Sequence, residues 1–180
     1  MKIPETIEVN GKNFSIKKLL GKGKGGYSYL AEKDGKNYTL KQIHHEPCDY
    51  FQFGNKIEAE SRDYQRLLEA GINIPKLYEI DFEKEIVLKE FIDGDDIVSL
   101  VKNNRMKDEY LSQAREMAKK INEKGLNLDY YPTNFIVQDE KLFYIDYECS
   151  GYSDEWNFEN WGKKYWSRTE GFENAFCRNE

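Results

Sequence analysis

Two alternating runs of residues, separated by a two-residue turn signal, constrain the fold of this chain more than any other feature. The runs "YSYLAEK" and "KNYTLKQI" are rich in aromatic residues and flank Asp34-Gly35. Alternation favours strands, and an Asp-Gly pair between two such runs favours a tight hairpin turn. The sequence therefore predicts an antiparallel hairpin that covers residues 27–33 and 36–43.

Three glycines, Gly21, Gly23 and Gly26, precede the first of these strands with the spacing G-x-G-x-x-G. A dinucleotide-binding turn requires a helix after the glycines, and a P-loop requires Gly-Lys-Ser/Thr. Here a strand follows, beginning with Tyr27, so both motifs are excluded. The remaining phosphate-binding arrangement is a glycine loop between strands, with a lysine, here Lys41, on the next strand. An ordinary loop and a solvated lysine are the alternative interpretation.

The composition limits the class of protein. The 180 residues, 39% of them hydrophobic and 33% charged, fit one domain or two small lobes. No apolar run approaches the roughly 20 residues of a membrane span, and "MKIPETIEVNGKNF" lacks the apolar stretch of a signal peptide. We therefore expect a cytoplasmic protein without a membrane partner. The net charge of −6 argues against nucleic acid as a direct ligand.

The cysteines and histidines do not predict a disulfide or a metal site. Cys48, Cys149 and Cys177 are odd in number and far apart, which favours reduced thiols. His44 and His45 are adjacent and would point to different sides of an extended chain, with no second pair of ligands.

Further elements follow in a definite order. Residues 53–75 contain Tyr64 and Leu67 at helical spacing and predict a helix that ends before Gly71. The stretch "KLYEIDFEKEIVLKEFIDGDDI" predicts two strands joined near Glu83-Lys84. Beyond a helix that ends near Lys124, "NFIV" and "LFYID" predict two apolar strands around a polar turn.

In this order, the segments resemble the protein-kinase-like superfamily over about residues 10–150. "LGKGKGGYSYLA" corresponds to the glycine-rich strand pair, "YTLK" to the V-A-I-K strand, and "KEFIDG" to the strand that enters the hinge. "NLDYYPTN" corresponds to H-R-D-x-x-x-x-N, and "DYE" to D-F-G. The resemblance implies an α+β, two-lobe protein-kinase-like fold, with a β-rich N-lobe (residues 1–92) and a reduced, mostly helical C-lobe (residues 93–180).

The resemblance also implies roles for the matching residues, with ATP and Mg²⁺ bound between the lobes. Lys41, held by Glu60 in preference to Glu58, would contact the α- and β-phosphates. Asp129 would orient the acceptor hydroxyl. The implied metal ligands are Asn134 and Asp146, which offer the hard oxygen atoms that Mg²⁺ prefers. The other implied ATP-site residues are the loop glycines Gly21, Gly23 and Gly26, the pocket residues Ser28 and Thr39, and Glu90 and Ile92, whose main chain would face the adenine.

Several residues depart from the pattern. Asn127 and Leu128 replace the His and Arg of H-R-D, and Tyr131 replaces a lysine that protein Ser/Thr kinases usually have. D-Y-E in place of D-F-G is similar to choline kinases and other small-molecule kinases, a group to which aminoglycoside kinases also belong. No A-P-E motif follows Asp146. Such a short C-lobe resembles small atypical kinases, such as the RIO family and the tRNA-modification-associated kinases.

The resemblance implies an ATP- and Mg²⁺-dependent phosphotransferase that acts on a hydroxyl of a protein or of a small molecule. A pseudokinase or a nucleotide-sensing binding module is the alternative. The aromatic tail is expected to form a closing helix that packs against the lobe through Trp156, Trp161, Trp166 and Phe172. A surface for a protein partner is the other interpretation of the tail.

Overall fold

The computed structural model describes residues 2–47 and 55–178, so the prediction for Cys48 lies outside the described residues. Contacts divide the chain into two units, one of Met1–Arg62 with Pro75–Phe91 and one of Asp63–Ile74 with Ile92–Glu180. The sequence predicted a single boundary after residue 92, whereas residues 63–74 group with the second unit. The assignment of functional lobes to residues 1–92 and 93–180 stays a prediction.

The first unit is built on one six-stranded antiparallel sheet of order β1-β2-β3-β4-β6-β5. Its strands are β1 (Thr6–Val9), β2 (Lys12–Lys22), β3 (Gly26–Lys33), β4 (Lys36–Ile43), β5 (Leu77–Asp81) and β6 (Ile86–Glu90). Side chains alternate between the two faces of a sheet, and one face here buries an apolar core. That core consists of Val9, Phe14, Tyr29, Ala31, Leu40, Ile86 and Leu88.

The hairpin of β3 and β4 confirms the prediction from the two alternating runs. Lys33 pairs with Lys36, and the two residues between them, Asp34 and Gly35, have φ angles of 52° and 76°. A two-residue turn whose twist matches that of the strands requires positive φ at both positions, which Asp and Gly tolerate. The local turn chemistry therefore fixes the register of the strand that carries Lys41.

The second unit combines helices with short strands. Its helices are the later part of α1 (Lys56–Glu69), α2 (Ile97–Lys102), α3 (Asp108–Asn122) and α4 (Glu170–Phe176). Its strands are β7 (Asp95–Asp96), β8 (Leu126–Leu128), β9 (Phe135–Gln138), β10 (Lys141–Tyr144) and β11 (Cys149–Gly151). They form a three-stranded sheet of order β10-β9-β7 and a two-stranded sheet of β11 and β8. The predicted pair of apolar strands after α3 is confirmed as β9 and β10.

The aromatic tail packs only partly as the sequence predicted. Trp166 and Phe172 are buried in the core of the second unit, but Trp156 is 50% exposed, so its predicted packing was wrong. A 3₁₀ turn over Gly162–Tyr165 and the short α4 take the place of one closing helix. The Trp166 indole N–H donates to the Tyr130 carbonyl at 2.9 Å, whereas the Trp156 ring makes an edge contact with Trp161.

None of the helices within the described residues is long and apolar enough to cross a membrane.

Candidate functional site

The predicted nucleotide-site residues of β3 and β4 lie on one face of the sheet in the first unit. Ser28 pairs with Lys41 across the hairpin and with Gly21 on β2. Thr39 lies two residues before Lys41 and therefore shares its face. Leu40 faces the opposite side, in the apolar core. The strand register therefore places Ser28, Thr39 and Lys41 on the face of the sheet opposite the one that buries the apolar core.

Lys41 forms an ion pair with Glu60 of α1. Each of the two side chains is only 13% exposed, so the contact is shielded from water. Glu58, the alternative considered from the sequence, is exposed. Glu60 Oε2 is buried and accepts no hydrogen bond from the described residues. A buried carboxylate oxygen without a donor is costly, and such groups concentrate at functional sites.

Gly26, the first residue of β3, is required by the close approach of β4. A Cβ atom at this position would lie 2.7 Å from the Gln42 carbonyl oxygen and 3.3 Å from Lys41 Cε. The Lys41 stem therefore passes directly over a residue that has no side chain. Gly26 serves both the strand pairing and the placement of the ammonium group.

The other glycines of the loop have no such internal reason. A Cβ at Gly21 or Gly25 would meet nothing within 4 Å, and at Gly23 only the Gly26 carbonyl oxygen at 3.9 Å. None of these residues is among those with positive φ. The chain itself would accept side chains at these positions, so the close approach that explains Gly26 does not explain the other three glycines.

His44 holds this loop from the end of β4. Its Nε2 lies 3.0 Å from the Gly23 carbonyl oxygen, its main-chain N–H donates to Gly25 O, and its Nδ1 accepts from Glu46 N–H at 3.3 Å. A carbonyl can only accept, so His44 Nε2 is the donor in the contact with Gly23. The sequence singled out His44 only as a rejected metal ligand; its role in the loop depends on folding and has no sequence signature.

We expect Gly26→Ala to lower the free energy of unfolding by about 1–3 kcal/mol, because its Cβ would overpack against the β4 main chain. Gly25→Ala is the matched control, since a Cβ there meets no atom within 4 Å. Urea denaturation followed by far-UV circular dichroism measures both variants. Equal stability of Gly26→Ala and Gly25→Ala would contradict the close approach.

In the second unit the folded chain brings Asp129 and Asn134 together. Asp129 follows β8, and Asn134 ends a 3₁₀ turn over Pro132–Asn134. The Asn134 side-chain amide donates to the Asp129 carbonyl at 3.2 Å, and Tyr131 N–H donates to Asp129 Oδ1 at 3.1 Å. These contacts fold residues 129–134 into a compact loop that directs the exposed Asp129 carboxylate.

Asp146 is fixed next to this loop by β10. Ile145 N–H donates to the Asn134 carbonyl at 2.9 Å, which places the residue before Asp146 directly against Asn134. After Asp146, the Tyr147 ring packs on Tyr64 of α1, with ring centroids 4.9 Å apart. The Asn134 side chain and the Asp146 carboxylate are therefore presented by two segments that are tied through the main chain.

Tyr144, the last residue of β10, lies beneath these carboxylates. It is fully buried, and burial raises the pKa of its hydroxyl well above the usual value; the nearby carboxylates of Asp146, Asp129 and Glu148 raise it further. Asp129 and Asp146 thus both act electrostatically on the same buried hydroxyl. The hydroxyl is held in its protonated form.

Asn134 and Asp146 carry the type of oxygen ligand that Mg²⁺ prefers. Because Asn134 donates through its Nδ2 atom, its Oδ1 atom is the one left to act as a ligand. Mg²⁺ is typically held by one or two carboxylates together with the phosphates of the substrate, which needs few protein ligands. The described residues contain no cluster of three or more His, Cys, Asp or Glu side chains that could hold a metal ion, so the metal-binding role of Asn134 and Asp146 stays a prediction.

The predicted adenine contacts are only partly available. Glu90 N–H already donates to the Lys76 carbonyl at 2.8 Å, so this N–H is not available to an adenine edge. Ile92 is buried and belongs to the second unit, whereas Glu90 belongs to the first.

A cavity of about 510 Å³ in the first unit is not part of this site. Its lining includes Tyr38, Tyr78 and Leu88, and none of the residues predicted for ATP borders it. Leu88 pairs with Leu40, so the cavity lies on the face opposite Lys41.

Comparison with known proteins supplies an independent test. A family model of the RIO domain matches residues 24–158. The KEOPS complex subunit Bud32 of Pyrococcus abyssi (strain GE5 / Orsay) is 29% identical over 99 residues, which cover 53% of this chain and 44% of that protein. The alignment thus spans less than half the length of this relative. The RIO-domain match includes Lys41, Glu60, Asp129, Asn134 and Asp146.

Proposed function

Because the chain belongs to the RIO-domain family, we propose that it is an atypical kinase that transfers the γ-phosphate of ATP to a hydroxyl group. The family is protein-kinase-like, in agreement with the mixed fold of a curled antiparallel sheet and a few helices. The observation that carries the proposal is the shielded ion pair of Lys41 and Glu60 beside a glycine loop with exposed main chain. A lysine held in this way is the phosphate-binding group of kinases.

In this proposal, Lys41 donates hydrogen bonds to the α- and β-phosphate oxygens. Glu60 holds the ammonium group, so little conformational freedom is lost when the nucleotide binds. Gly23 N–H already donates to the Gly26 carbonyl at 2.9 Å. In this proposal the loop therefore contributes the close approach of its main chain around Gly21 and Gly23, where no side chain keeps the phosphates away. Ser28 and Thr39 line the same face and give the nucleotide site a polar wall.

The residues of the second unit act on the acceptor and the metal. Asp129 accepts a hydrogen bond from the acceptor hydroxyl and takes up its proton as the oxygen bonds to the γ-phosphorus and ADP departs. Asn134 and Asp146 would hold Mg²⁺, which supplies neutralisation of the phosphate charge when bound. The whole reaction depends on positioning and charge, for which these polar groups suffice.

The acceptor is the hydroxyl of a protein side chain or of a small molecule. The absence of a lysine after Asp129 favours a small molecule, whereas membership of the RIO-domain family is compatible with a protein acceptor. We place the reaction in the cytoplasm, as the composition suggested.

A nucleotide-binding module without transfer is the second candidate function. The observation in its favour is the hydrogen bond from Tyr131 N–H to Asp129 Oδ1, a turn contact that Asp often makes for structural reasons alone. In a pseudokinase, Asp129 would serve only this turn, and ATP would bind without turnover.

We further propose a protein partner. The relative Bud32 is named as a subunit of the KEOPS complex. On this chain, Tyr152 and Trp156 are 42% and 50% exposed, and exposed aromatic residues are enriched at protein interfaces. The tail segment around Trp156 is the surface that we assign to this partner.

Transfer of label from γ-labelled ATP tests the proposed function. The purified chain is incubated with Mg²⁺, and free phosphate, labelled protein and labelled small molecules are separated. We expect Mg²⁺-dependent turnover, and the labelled fraction identifies the class of acceptor. Mg²⁺-dependent ATP binding without any turnover would favour the binding module. Absence of ATP binding would refute both functions.

A further inference from the structure

Two tyrosines in the core of the second unit, Tyr110 and Tyr144, are buried but differ in where their hydroxyl groups bond. The Tyr110 hydroxyl donates to Glu140 Oε2 at 3.0 Å, in the turn between β9 and β10. The Tyr144 hydroxyl donates to the Glu148 carbonyl at 2.7 Å and accepts from Asp129 N–H at 3.4 Å. One side chain thus contacts both segments that carry the proposed acceptor and metal groups.

The ring of Tyr144 is itself held firmly. It packs against Phe135, with ring centroids 5.0 Å apart, and the Tyr144 main-chain N–H donates to the Asn73 carbonyl at 2.9 Å. A phenylalanine would fill the same space. What the hydroxyl adds to this packing is its pair of hydrogen bonds, one to Glu148 O and one from Asp129 N–H.

We propose that Tyr144 is a positioning residue for phosphoryl transfer, whose hydroxyl sets the spacing between Asp129 and the segment 146–148. This inference rests on the proposed function. The contact with Glu148 O, at 2.7 Å, is the stronger one. The longer contact with Asp129 N–H, at 3.4 Å, positions the main chain from which the Asp129 side chain extends. Without the hydroxyl, two partly buried main-chain groups would lose a partner. The two segments would keep the main-chain bond from Ile145 to Asn134 but would lose the tie at Asp129 itself.

Small shifts of this kind affect the chemical step more than the binding of ATP. The positions of reacting groups must be kept within about 0.5 Å, and a misplacement of about 1 Å can cost roughly 100-fold in rate. The residues that we assign to the phosphates, namely Lys41 and the loop glycines, belong to the first unit, whereas Tyr144 belongs to the second. Loss of the Tyr144 hydroxyl is therefore expected to lower kcat and to leave the KM for ATP nearly unchanged.

The test compares Tyr144→Phe with the matched control Tyr110→Phe in the full chain. For Tyr144→Phe we expect kcat to fall about 10- to 100-fold, with the KM for ATP within about twofold of the wild type. Hydrogen exchange of the Asp129 amide should become about tenfold faster, because its acceptor is gone. Tyr110→Phe should change neither quantity, because the hydroxyl that it removes bonds to Glu140 and to neither of the two segments.

Two results would overturn the inference. One is an unchanged exchange rate of the Asp129 amide in Tyr144→Phe. The other is unchanged kcat in Tyr144→Phe while the wild type is active. If the wild type transfers no phosphate, the proposed function fails, and amide exchange alone decides whether the hydroxyl ties the two segments. Failure of the positioning role is thus distinguishable from failure of the proposed activity.

Discussion

Asp129→Asn should reduce phosphate transfer by about 100- to 10,000-fold, the range expected for the loss of a general base. The amide has the shape of the carboxylate but can neither take up the hydroxyl proton nor carry the negative charge that orients the acceptor. Its Oδ1 can still accept from Tyr131 N–H, so the loop should keep its conformation. Initial rates with γ-labelled ATP and the ATP dissociation constant, measured on the same sample, should show lost turnover with retained binding.

The matched control is Asp139→Asn. Asp139 is exposed in the turn between β9 and β10 with φ of 50°, a conformation that Asn tolerates well. We expect this variant to transfer phosphate at the wild-type rate. If Asp129→Asn retained transfer within about twofold of an active wild type, its role as the proton acceptor would be refuted.

Lys41→Ala should also lower the rate of turnover at least about 100-fold, because a preorganised charge at the transferring phosphates contributes a rate enhancement of this size. The variant removes the partner of Glu60 as well, leaving a shielded carboxylate without a cation. Breaking one side of such a pair destabilises a protein, by up to about 3–5 kcal/mol when the pair is fully buried. A loss of activity must therefore be separated from a loss of folding.

Two further variants make this separation. Lys18→Ala removes an exposed lysine from β2 and should leave transfer unchanged. The double variant Lys41→Met with Glu60→Gln removes both charges together, so it should regain much of the stability lost in Lys41→Ala but none of the turnover. Thermal unfolding and transfer assays on all three variants measure this. Recovery of transfer in the double variant would contradict the phosphate-binding role of Lys41.

Local chemistry explains which parts of the fold could be predicted from the sequence. The hairpin of β3 and β4 was predictable because Asp34 and Gly35 specify a turn without help from distant residues. The family and the α+β fold class were predictable because the motifs occur in a fixed order along the chain. The tail was less predictable: composition cannot distinguish Trp166, which finds a carbonyl acceptor in the core, from Trp156, which remains half exposed.

The candidate site shows the same limit. The sequence could propose Lys41, Glu60 and Asp129 because each resembles a residue of a known motif, and their catalytic roles stay predictions. Nothing in the sequence singled out the Tyr144 hydroxyl or the His44 ring, because their partners are main-chain groups up to 21 residues away. Such contacts are created by tertiary packing and leave no periodic pattern or motif.

The positions of the tryptophans make the fluorescence of the second unit different from that of the first. All three, Trp156, Trp161 and Trp166, lie within an eleven-residue stretch of the second unit. Intrinsic fluorescence excited at tryptophan therefore reports on the second unit, with Trp166 as the buried emitter beside the main chain of the proposed catalytic loop. Unfolding of the sheet that carries Lys41 would be nearly silent by this signal and visible by circular dichroism. A comparison of the two signals can reveal whether the two units melt together or one after the other.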